Sequence, residues 1–425
     1  MDYLALPPAR CVEGAVRVPA SKSATNRALL LAALSETEVE IVRPLESADI
    51  RSLRRCLEAM GASFRATRDG LAVRGPLRGR GDDEVCLDAG DSGTAARFLA
   101  AVAAATPGRF LLSGSARLCE RPMGELVKAL ASAGAEMSFA GAEGFLPLSI
   151  RGGTLHSGEV SVDASRSSQF VSALLLAGVA VEGGLEVRPT GPIASAPYVR
   201  TTLETLSAFG HRVSPGPVLR SQRGPGAPAR YMPPGDYSSG LPLLAAAGAA
   251  GGSVTVLGLA WPSHDADAQA LPVLENLGLA LKHVSGGIAA AGQRSRLAPA
   301  SVEATDFPDA VPTLAALAAL AEGESSLCGI GHLRLKESDR IEALAALLTC
   351  AGARAQAGPD ELIVVGPIPE KPRHALRLPT FDDHRVAMAA ALLCLAVPGF
   401  LIENPDCVGK SYPGFFRDLE TLVRR

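Results

Sequence analysis

NRALLLAAL at residues 26–34, followed by LRRCLEAMGA at residues 53–62, is the first copy of a pattern that runs through the whole chain. Each copy begins with an Ala- and Leu-rich segment, and an amphipathic segment that ends near a glycine follows it. The Ala-rich segments begin at residues 26, 96, 169, 240, 311 and 384, and the amphipathic ones end near Gly61, Gly134, Gly210, Gly278 and Gly352. Self-similarity at about 70 residues indicates a repeated structural unit.

Each copy predicts two helices and the strands that follow them. A glycine just beyond a helix is typical of a left-handed cap, and the alternating residues after it predict a strand. The Ala-rich helices are apolar on nearly every side and should be buried, whereas the amphipathic helices should face solvent. The sequence therefore predicts an α/β protein of six units. In a Rossmann fold the helices cover the outside of the sheet, so helices buried among sheets argue against that fold. No P-loop or G-x-G-x-x-G motif follows a predicted strand.

The length of 425 residues predicts two domains. The segment SPGPVLRSQRGPGAPARYMPPGD at residues 214–236 is rich in proline and glycine and indicates a linker. We expect this segment to mark the point where the chain leaves a second lobe and returns to the first. The predicted first lobe comprises residues 1–20 plus 236–425, and the second lobe comprises residues 21–235.

Composition excludes several classes of protein. With 20% charged residues and a net charge of −3, neither disorder nor a polybasic nucleic-acid surface is indicated. The eight cysteines form no C-x-x-C pair and no cluster with histidine, so we expect no metal site. The start lacks a secretory signal, which predicts a cytoplasmic protein. Two apolar stretches, 240–261 and 386–402, are broken by Gly or Pro and predict buried segments, so we expect no membrane contact.

Cations and hydroxyl groups gather at the starts of the predicted buried helices. Helix starts present free N–H groups and a positive dipole end, so these clusters predict binding of small anions. Ordinary capping by Ser or Thr is the alternative at the hydroxyl clusters, and a surface arginine is the alternative at Arg121. Pro122, directly after Arg121, predicts that a helix begins at this proline. The first-half positions are Lys22, Ser23, Arg27, Asp91, Gly93, Arg97, Arg121, Ser167, Ser168, Gln169, Ser195 and Tyr198.

The second half adds carboxylates and more cations. Asp309 precedes a buried helix, where a low dielectric would raise its pKa toward the value that a general base needs; capping is the alternative. Lys336 and Arg340 are four residues apart, which predicts that they share one helical face. A solvated run of charged residues is the alternative for this segment. Further cations and acids of this half are Glu337, His384, Arg385 and Lys410.

Six motifs, in this order, resemble the 5-enolpyruvylshikimate-3-phosphate synthase family. They are P-x-S-K-S-x-x-N-R at 19–27, D-S-G-T-x-x-R at 91–97, E-R-P-M-G at 120–124, S-S-Q-F at 167–170, L-K-E-S-D-R-I at 335–341 and D-D-H-R-V-A-M at 382–388. The resemblance runs from about residue 10 to the C-terminus. It implies a two-lobed enolpyruvyl transferase fold, an inside-out α/β barrel of six β-α-β-α-β-β units, three per lobe, with the active site in the cleft between the lobes.

The resemblance also implies the reaction. Phosphoenolpyruvate and shikimate 3-phosphate would give an enolpyruvyl ether and phosphate, by addition followed by elimination, without metal or organic cofactor. Asp309 would take the proton of the 5-hydroxyl, Glu337 would protonate the methylene carbon, and Lys336 would assist the ether oxygen. Lys22 and His384 complete the implied catalytic set.

The resemblance also implies which substrate each matched residue binds. Shikimate 3-phosphate would be bound by Lys22, Ser23, Arg27, Ser167, Ser168, Gln169, Ser195, Tyr198, Asp309, His332 and Lys336. Phosphoenolpyruvate would be bound by Lys22, Asp91, Gly93, Arg121, Gln169, Glu337, Arg340, His384, Arg385 and Lys410.

Three positions depart from the family pattern. Asp91 and His332 stand where the family often has Asn, and Arg166 precedes the Ser-Ser-Gln motif. If Asp91 is ionised, its charge should weaken the binding of an anion beside it.

Two alternatives to this reading stay open. The sister enolpyruvyl transferases act on UDP-N-acetylglucosamine and usually carry a reactive Cys before the residue equivalent to Arg121. Here Ala116 stands at the expected position and Cys119 is out of register. A non-catalytic relative that binds anionic metabolites is the other alternative. From the family we expect a monomer.

Overall fold

The computed structural model describes residues 3–7, 9–79, 81, 83–369 and 376–425. The chain divides into two compact units. The flanking unit comprises Met1–Pro19 and Pro234–Arg425, and the inserted unit comprises Ala20–Pro233.

Thirteen α-helices lie in the described residues: α1 (Lys22–Ala33), α2 (Ala48–Ala59), α3 (Gly93–Ala105), α4 (Ala116–Cys119), α5 (Gly124–Ser132), α6 (Ser168–Gly178), α7 (Pro197–Ala208), α8 (Tyr237–Ala250), α9 (Leu271–Asn276), α10 (Val311–Leu320), α11 (Arg340–Ala351), α12 (His384–Ala396) and α13 (Phe415–Leu422). Short 3-10 helices span Ala266–Ala270, Arg294–Arg296, Gly331–Leu335 and Pro405–Lys410.

The strands of the described residues are β1 (Tyr3–Leu4), β2 (Cys11–Arg17), β3 (Val39–Val42), β4 (Ser63–Ala66), β5 (Gly70–Arg74), β6 (Glu84–Asp88), β7 (Gly108–Ser113), β8 (Glu136–Phe139), β9 (Leu148–Gly152), β10 (Gly158–Asp163), β11 (Leu185–Thr190), β12 (Arg212–Ser214), β13 (Leu219–Gln222), β14 (Arg230–Tyr231), β15 (Gly252–Leu257), β16 (Ala280–Val284), β17 (Gly287–Gly292), β18 (Ser301–Glu303), β19 (Gly323–Cys328), β20 (Arg354–Ala357), β21 (Glu361–Gly366), β22 (Leu376–Leu378), β23 (Phe400–Glu403) and β24 (Val423–Arg424).

These strands form six small sheets, one for each predicted unit. The inserted unit contains the sheets β14-β3-β5-β4, β6-β7-β9-β8 and β10-β11-β13-β12. In each of them the first two strands are parallel and the next two neighbours are antiparallel. A buried helix connects parallel strands such as β6 and β7, as a parallel pair requires a crossover. The predicted α/β architecture of six units is therefore confirmed.

The flanking unit contains the sheets β18-β19-β21-β20, β16-β17-β15-β2-β24 and β1-β23-β22. Strand β2, from the start of the chain, pairs in parallel with β15, more than two hundred residues later. In the inserted unit β14 pairs in parallel with β3 in the same way. In each of these two sheets, one strand of the parallel pair is therefore supplied by a distant segment. The sixth sheet has three strands, with β1 antiparallel to β23.

The Ala-rich helices form the cores of the two units. All ten residues of α10 are buried, as are most residues of α1, α3, α6, α8 and α12. Alanine side chains are small, so α3 can pack closely against α6, and α12 against α8 and α10. By contrast α2 exposes Arg51, Arg55 and Glu58 on one side. The predicted division into buried and solvent-facing helices is confirmed.

The predicted linker at 214–236 was partly wrong. It contains β13 and β14, each paired within a sheet of the inserted unit. In β13 the buried positions are Leu219 and Ser221, so one of the two inward side chains is polar and the alternating pattern is weak. Strand β14 has only two residues, which is too short for a periodic signal.

Gly278→Ala should destabilise the flanking unit far more than Gly286→Ala. Both glycines have positive φ, 102° and 78°. A Cβ at Gly278 would lie 2.2 Å from the backbone oxygen of Arg296, whereas at Gly286 no described atom lies within 4 Å. We expect losses of roughly 3 kcal/mol or more and about 1 kcal/mol, respectively, because only the first adds a backbone clash to the strained φ. Urea unfolding measures both, and equal losses would contradict this account.

Candidate active site

The first anion cluster lies at the start of α1. Ser21 caps the helix, since its Oγ accepts a hydrogen bond from the Ala24 N–H. Lys22 is the first helical residue, and its Nζ lies 3.2 Å from a carboxylate oxygen of the buried Asp49. Capping thus explains Ser21, whereas Asp49 holds the Lys22 ammonium at the positive end of the helix.

Arg27 is buried and hydrogen-bonded on all three nitrogens. Its Nε donates to Thr202 Oγ1 (2.8 Å), its Nη1 to the Ser23 carbonyl (2.9 Å) and its Nη2 to the Tyr198 carbonyl (3.2 Å) and to Ser172 Oγ (3.3 Å). Arg27 therefore fixes the backbone of Ser23 and Tyr198, two of the residues predicted to bind shikimate 3-phosphate. Direct contact of Arg27 with that ligand stays a prediction.

Gly93 lies against two guanidinium groups at the start of α3. Arg97 Nη1 donates to the Gly93 carbonyl (2.9 Å), and Arg97 Nη2 donates to the Pro122 carbonyl (3.1 Å). A Cβ at Gly93 would lie 2.5 Å from Arg121 Nη1, so only glycine leaves room for this arrangement. Arg121 is buried, and its Nε has no hydrogen-bond partner among the described residues. A simple surface arginine is therefore excluded.

The prediction that a helix begins at Pro122 was wrong. Helix α5 begins at Gly124, and Met123 is its N-cap residue. Pro122 therefore lies outside the helix, where its carbonyl accepts the bond from Arg97.

Asp91 is exposed in the turn before α3. Its carboxylate accepts a hydrogen bond from the Ser115 hydroxyl, whose oxygen also caps α4 by accepting from the Leu118 N–H. Asp91, which departs from the family pattern, is therefore hydrogen-bonded to Ser115, the residue that caps α4.

The third cluster begins α6. Ser167 caps the helix by accepting from the Gln169 N–H (3.2 Å), so capping accounts for one of the two adjacent serines. Gln169 Nε2 donates to Thr94 Oγ1 (3.2 Å), which connects this cluster to the one around Gly93. Its Oε1 is buried without a hydrogen-bond partner in the described part of the chain. Ser195 is buried and has a φ of 57°, an uncommon conformation for a serine.

In the flanking unit, Arg340 lies at the centre of three carboxylates. Its Nε is 2.9 Å from Asp383, its Nη1 is 2.9 Å from Asp309 and its Nη2 is 2.9 Å from Glu337. The Arg340 side chain is 1% exposed. Burial opposes its charge, but Asp383, Glu337 and Asp309 outweigh burial and raise its pKa. Arg340 therefore stays charged and joins the predicted acids into one network.

Asp309 lies between two guanidinium groups. Its Oδ1 is 2.9 Å from Arg340 Nη1, and its Oδ2 is 3.6 Å from Arg385 Nη2. Helix α10 begins at Val311 with Ala310 as its N-cap and no side-chain cap, so Asp309 does not cap the helix. Arginine side chains therefore hold the Asp309 carboxylate at both of its oxygens.

The prediction that Lys336 and Arg340 share one helical face was wrong. Lys336 ends the 3-10 helix Gly331–Leu335 in an extended conformation, and α11 begins only at Arg340. Asp339 causes this break, since it is the N-cap and its Oδ1 accepts from the Glu342 N–H.

Glu337 is shared between two cations. Beside its contact with Arg340, its Oε1 lies 3.6 Å from Lys410 Nζ. The structure thus brings Asp309 and Lys410, which are distant in sequence, together with the neighbouring pair Glu337 and Arg340. The role of Glu337 as a proton donor stays a prediction.

Asp383, His384 and Arg385 begin α12. Asp383 is the N-cap and accepts from the Arg385 N–H (2.8 Å), while His384 and Arg385 are both buried. His384 Nδ1 lies 3.9 Å from Asp383 Oδ1. His332 lies on the 3-10 helix Gly331–Leu335, where burial, and then the charge of Lys336, lower its pKa to about 3. His332 is therefore neutral at physiological pH, like the Asn often found there.

Sequence reasoning missed a group of buried carboxylates around Arg385. Burial, and then the neighbouring Asp236, raise the pKa of Asp265 to about 7. Burial, and then Asp309, raise the pKa of Asp267. Against burial, the charges of Asp309, Asp236 and Asp267 raise the pKa of Arg385. The only local signals were the D-A-D of 265–267 and an acid directly before an apolar helix.

The described residues contain neither a membrane-spanning helix nor a metal-binding cluster. None of the helices there has the length and apolar character needed to cross a membrane. Nor does this part of the chain contain a group of three or more His, Cys, Asp or Glu side chains arranged to hold a metal ion.

Comparison with known proteins extends over nearly the whole chain. Residues 7–419 match the family model described as EPSP synthase (3-phosphoshikimate 1-carboxyvinyltransferase). A relative from Sulfurovum sp. (strain NBC37-1) that bears the name 3-phosphoshikimate 1-carboxyvinyltransferase is 36% identical, across 99% of this chain and 99% of the relative. A relative of the same name from Shewanella denitrificans is 34% identical across 100% of each chain.

Solved structures agree with this result. EPSP synthase from Acinetobacter baumannii has a TM-score of 0.80 and 26% identity, covering 99% of this chain and 98% of that one. The enolpyruvyl transferase NikO from Streptomyces tendae, at 20% identity, has a TM-score of 0.76 over 99% of this chain and 97% of that one, which shows the same fold. The predicted enolpyruvyl transferase fold is confirmed. The chain belongs to the EPSP synthase (3-phosphoshikimate 1-carboxyvinyltransferase) family.

Proposed function

We propose that this chain transfers the enolpyruvyl group of phosphoenolpyruvate to the 5-hydroxyl of shikimate 3-phosphate and releases phosphate. The observation that carries the proposal is the Asp309 carboxylate held between Arg340 and Arg385. A carboxylate with adjacent fixed cations can accept a proton from an alcohol and stabilise negative charge on a neighbouring anionic substrate. Membership of the EPSP synthase family supports the identity of both substrates.

The proposed reaction proceeds by addition and elimination. Asp309 takes the proton of the 5-hydroxyl, whose oxygen forms a bond to C2 of phosphoenolpyruvate, while Glu337 protonates the methylene carbon at C3. In the second step the C2–O bond to phosphate breaks and the departing phosphate takes the proton held by Asp309. A proton leaves C3 to the Glu337 carboxylate, so the double bond re-forms and both residues regain their starting protonation states. Lys336 assists at the ether oxygen. The products are the enolpyruvyl ether and inorganic phosphate, and no metal or organic cofactor takes part.

Residues of both units are proposed to serve this one pair of substrates. In the inserted unit, the hydroxyl groups of Ser23, Ser167, Ser168 and Ser195 suit a phosphorylated polyhydroxy ring. The cations Lys22, Arg121, Arg340, Arg385 and Lys410 suit the carboxylate and phosphate of phosphoenolpyruvate. As implied by the family, we further propose that the protein is a cytoplasmic monomer, and light scattering after gel filtration tests the monomer.

Asp91→Asn should lower the KM for phosphoenolpyruvate by about two- to threefold and leave the KM for shikimate 3-phosphate unchanged. The substitution removes a negative charge beside the proposed anion site but keeps a side-chain oxygen that can accept from Ser115. The effect should be small because the group is exposed and solvent screens its charge. Initial rates at varied phosphoenolpyruvate measure it, and an increased KM would show that the Asp91 charge assists binding.

The acceptor is tested by phosphate release. With phosphoenolpyruvate present, the purified protein should release phosphate when shikimate 3-phosphate is added and should not do so with UDP-N-acetylglucosamine. A chelator in the buffer should leave the rate unchanged. Release with the nucleotide sugar alone would assign the chain to the sister activity. Thermal stabilisation by shikimate 3-phosphate without any phosphate release would instead indicate a non-catalytic binding protein.

A further inference from the structure

We infer that Ser238 is a positioning residue that sets the orientation of the Arg385 guanidinium. The inference rests on the proposed function, in which Arg385 binds phosphoenolpyruvate. Ser238 lies in the first turn of α8, whereas Arg385 lies in the first turn of α12, so the two are 147 residues apart in sequence. No motif in either helix connects them.

Arg385 contacts Ser238 twice. Its Nη1 donates to the Ser238 carbonyl (2.7 Å), and its Nη2 donates to the Ser238 hydroxyl oxygen. Nη2 also lies 3.6 Å from Asp309 Oδ2. A guanidinium is planar, so two bonds to one residue fix the plane of the whole group. Ser238 thereby determines the direction in which the Arg385 donors can meet a carboxylate or phosphate.

The direction of the hydroxyl proton is set by a third residue. Ser238 Oγ lies 2.7 Å from Asp236 Oδ1, and this carboxylate can only accept. The Ser238 proton therefore points to Asp236, and a lone pair of its oxygen is left for Arg385. Asp236, Ser238 and Arg385 are all buried, so water cannot readily replace either bond.

The same turn provides a matched control. Ser239 Oγ donates to the other oxygen of Asp236, at 2.8 Å, and Ser239 is also buried. Among the described residues, the side-chain hydrogen bonds of Arg385 go to Ser238 and to Met388, and none goes to Ser239. Removing either hydroxyl costs Asp236 one donor, but only the Ser238 hydroxyl orients Arg385. Neither substitution alters the charge of the site, so a difference in KM between the two variants reports on the orientation of the Arg385 guanidinium.

The test compares Ser238→Ala, Ser239→Ala and Ser238→Thr in the full-length protein. We expect Ser238→Ala to raise the KM for phosphoenolpyruvate about tenfold, the effect of one hydrogen bond to a charged group. Its KM for shikimate 3-phosphate should stay within about twofold of the wild-type value, because no proposed shikimate ligand loses a direct contact. Ser238→Thr, which keeps the hydroxyl, should restore most of the affinity. The two alanine variants should have similar midpoints of unfolding.

Each other outcome has a definite meaning. If Ser238→Ala and Ser239→Ala raise the KM for phosphoenolpyruvate equally, the hydroxyls act through Asp236 and the positioning inference is wrong. It is also wrong if Ser238→Ala lowers kcat alone, or if Ser238→Thr behaves like Ser238→Ala. A wild-type protein that releases no phosphate overturns the proposed function and this inference together. An active wild type with unaffected variants overturns only the inference.

Discussion

Asp309→Asn should reduce kcat for phosphate release by about 10²- to 10⁴-fold, the usual contribution of a positioned general base. Asparagine has nearly the same shape but cannot take the proton of the 5-hydroxyl. Arg340 and Arg385 each contact one oxygen of this carboxylate and so fix its position. The KM for shikimate 3-phosphate should change far less than kcat, since the amide can still accept a hydrogen bond.

Asp306→Asn is the matched control for this substitution. Asp306 lies three residues earlier in the segment before α10 and, among the described residues, has no hydrogen bond or ion pair with Arg340 or Arg385. Its variant should keep the wild-type kcat. If Asp309→Asn also retains most of its activity, while binding shikimate 3-phosphate normally by calorimetry, then Asp309 is not the base.

Arg340→Met should destabilise the flanking unit by about 3–5 kcal/mol, the typical cost of removing one partner from a buried ion pair. Methionine fills much of the volume but leaves Asp383, Glu337 and Asp309 beside one another without their central cation. Asp383 is fully buried, so its charge cannot be solvated by water in place of the guanidinium. Chemical denaturation followed by circular dichroism measures the loss.

Arg334→Met provides the comparison with a more exposed arginine. Arg334 Nη1 lies 2.6 Å from Asp339 and 3.2 Å from Glu342, but its side chain is 27% exposed. Such pairs usually contribute about 1 kcal/mol or less. Equal losses of unfolding free energy for the two substitutions would contradict the account that the charge of Arg340 stabilises the three carboxylates around it.

The repeated helices were predictable because their signals are local. An Ala-rich segment that is apolar on all sides predicts a buried helix. The positive φ that a left-handed cap requires is found at Gly61, Gly134, Gly210, Gly278 and Gly352. The pairing of β2 with β15 and of β14 with β3 was not predictable. Such pairing depends on which distant strand completes a sheet, and the local sequence of β2 or β14 does not carry that information.

The anion clusters were predictable for the same reason, since each is a short segment at a helix start. Within those segments, the sequence could not separate capping from binding: Ser21, Ser167 and Asp383 turned out to be caps. The break between Lys336 and Arg340 depends on which residue caps α11, and periodicity alone suggested one continuous helix. The network of Asp236, Ser238 and Arg385 was missed because it joins segments that only the fold brings together.

Phosphorus NMR of a reaction mixture tests the central claim most directly. When the protein is added to phosphoenolpyruvate and shikimate 3-phosphate, the enol phosphate resonance should disappear and inorganic phosphate should appear in equal amount. The sugar-acid phosphate should persist as a shifted monoester resonance, because that phosphate is kept in the enolpyruvyl product. Persistence of both starting resonances, or release of the shikimate phosphate instead, would contradict enolpyruvyl transfer by this chain.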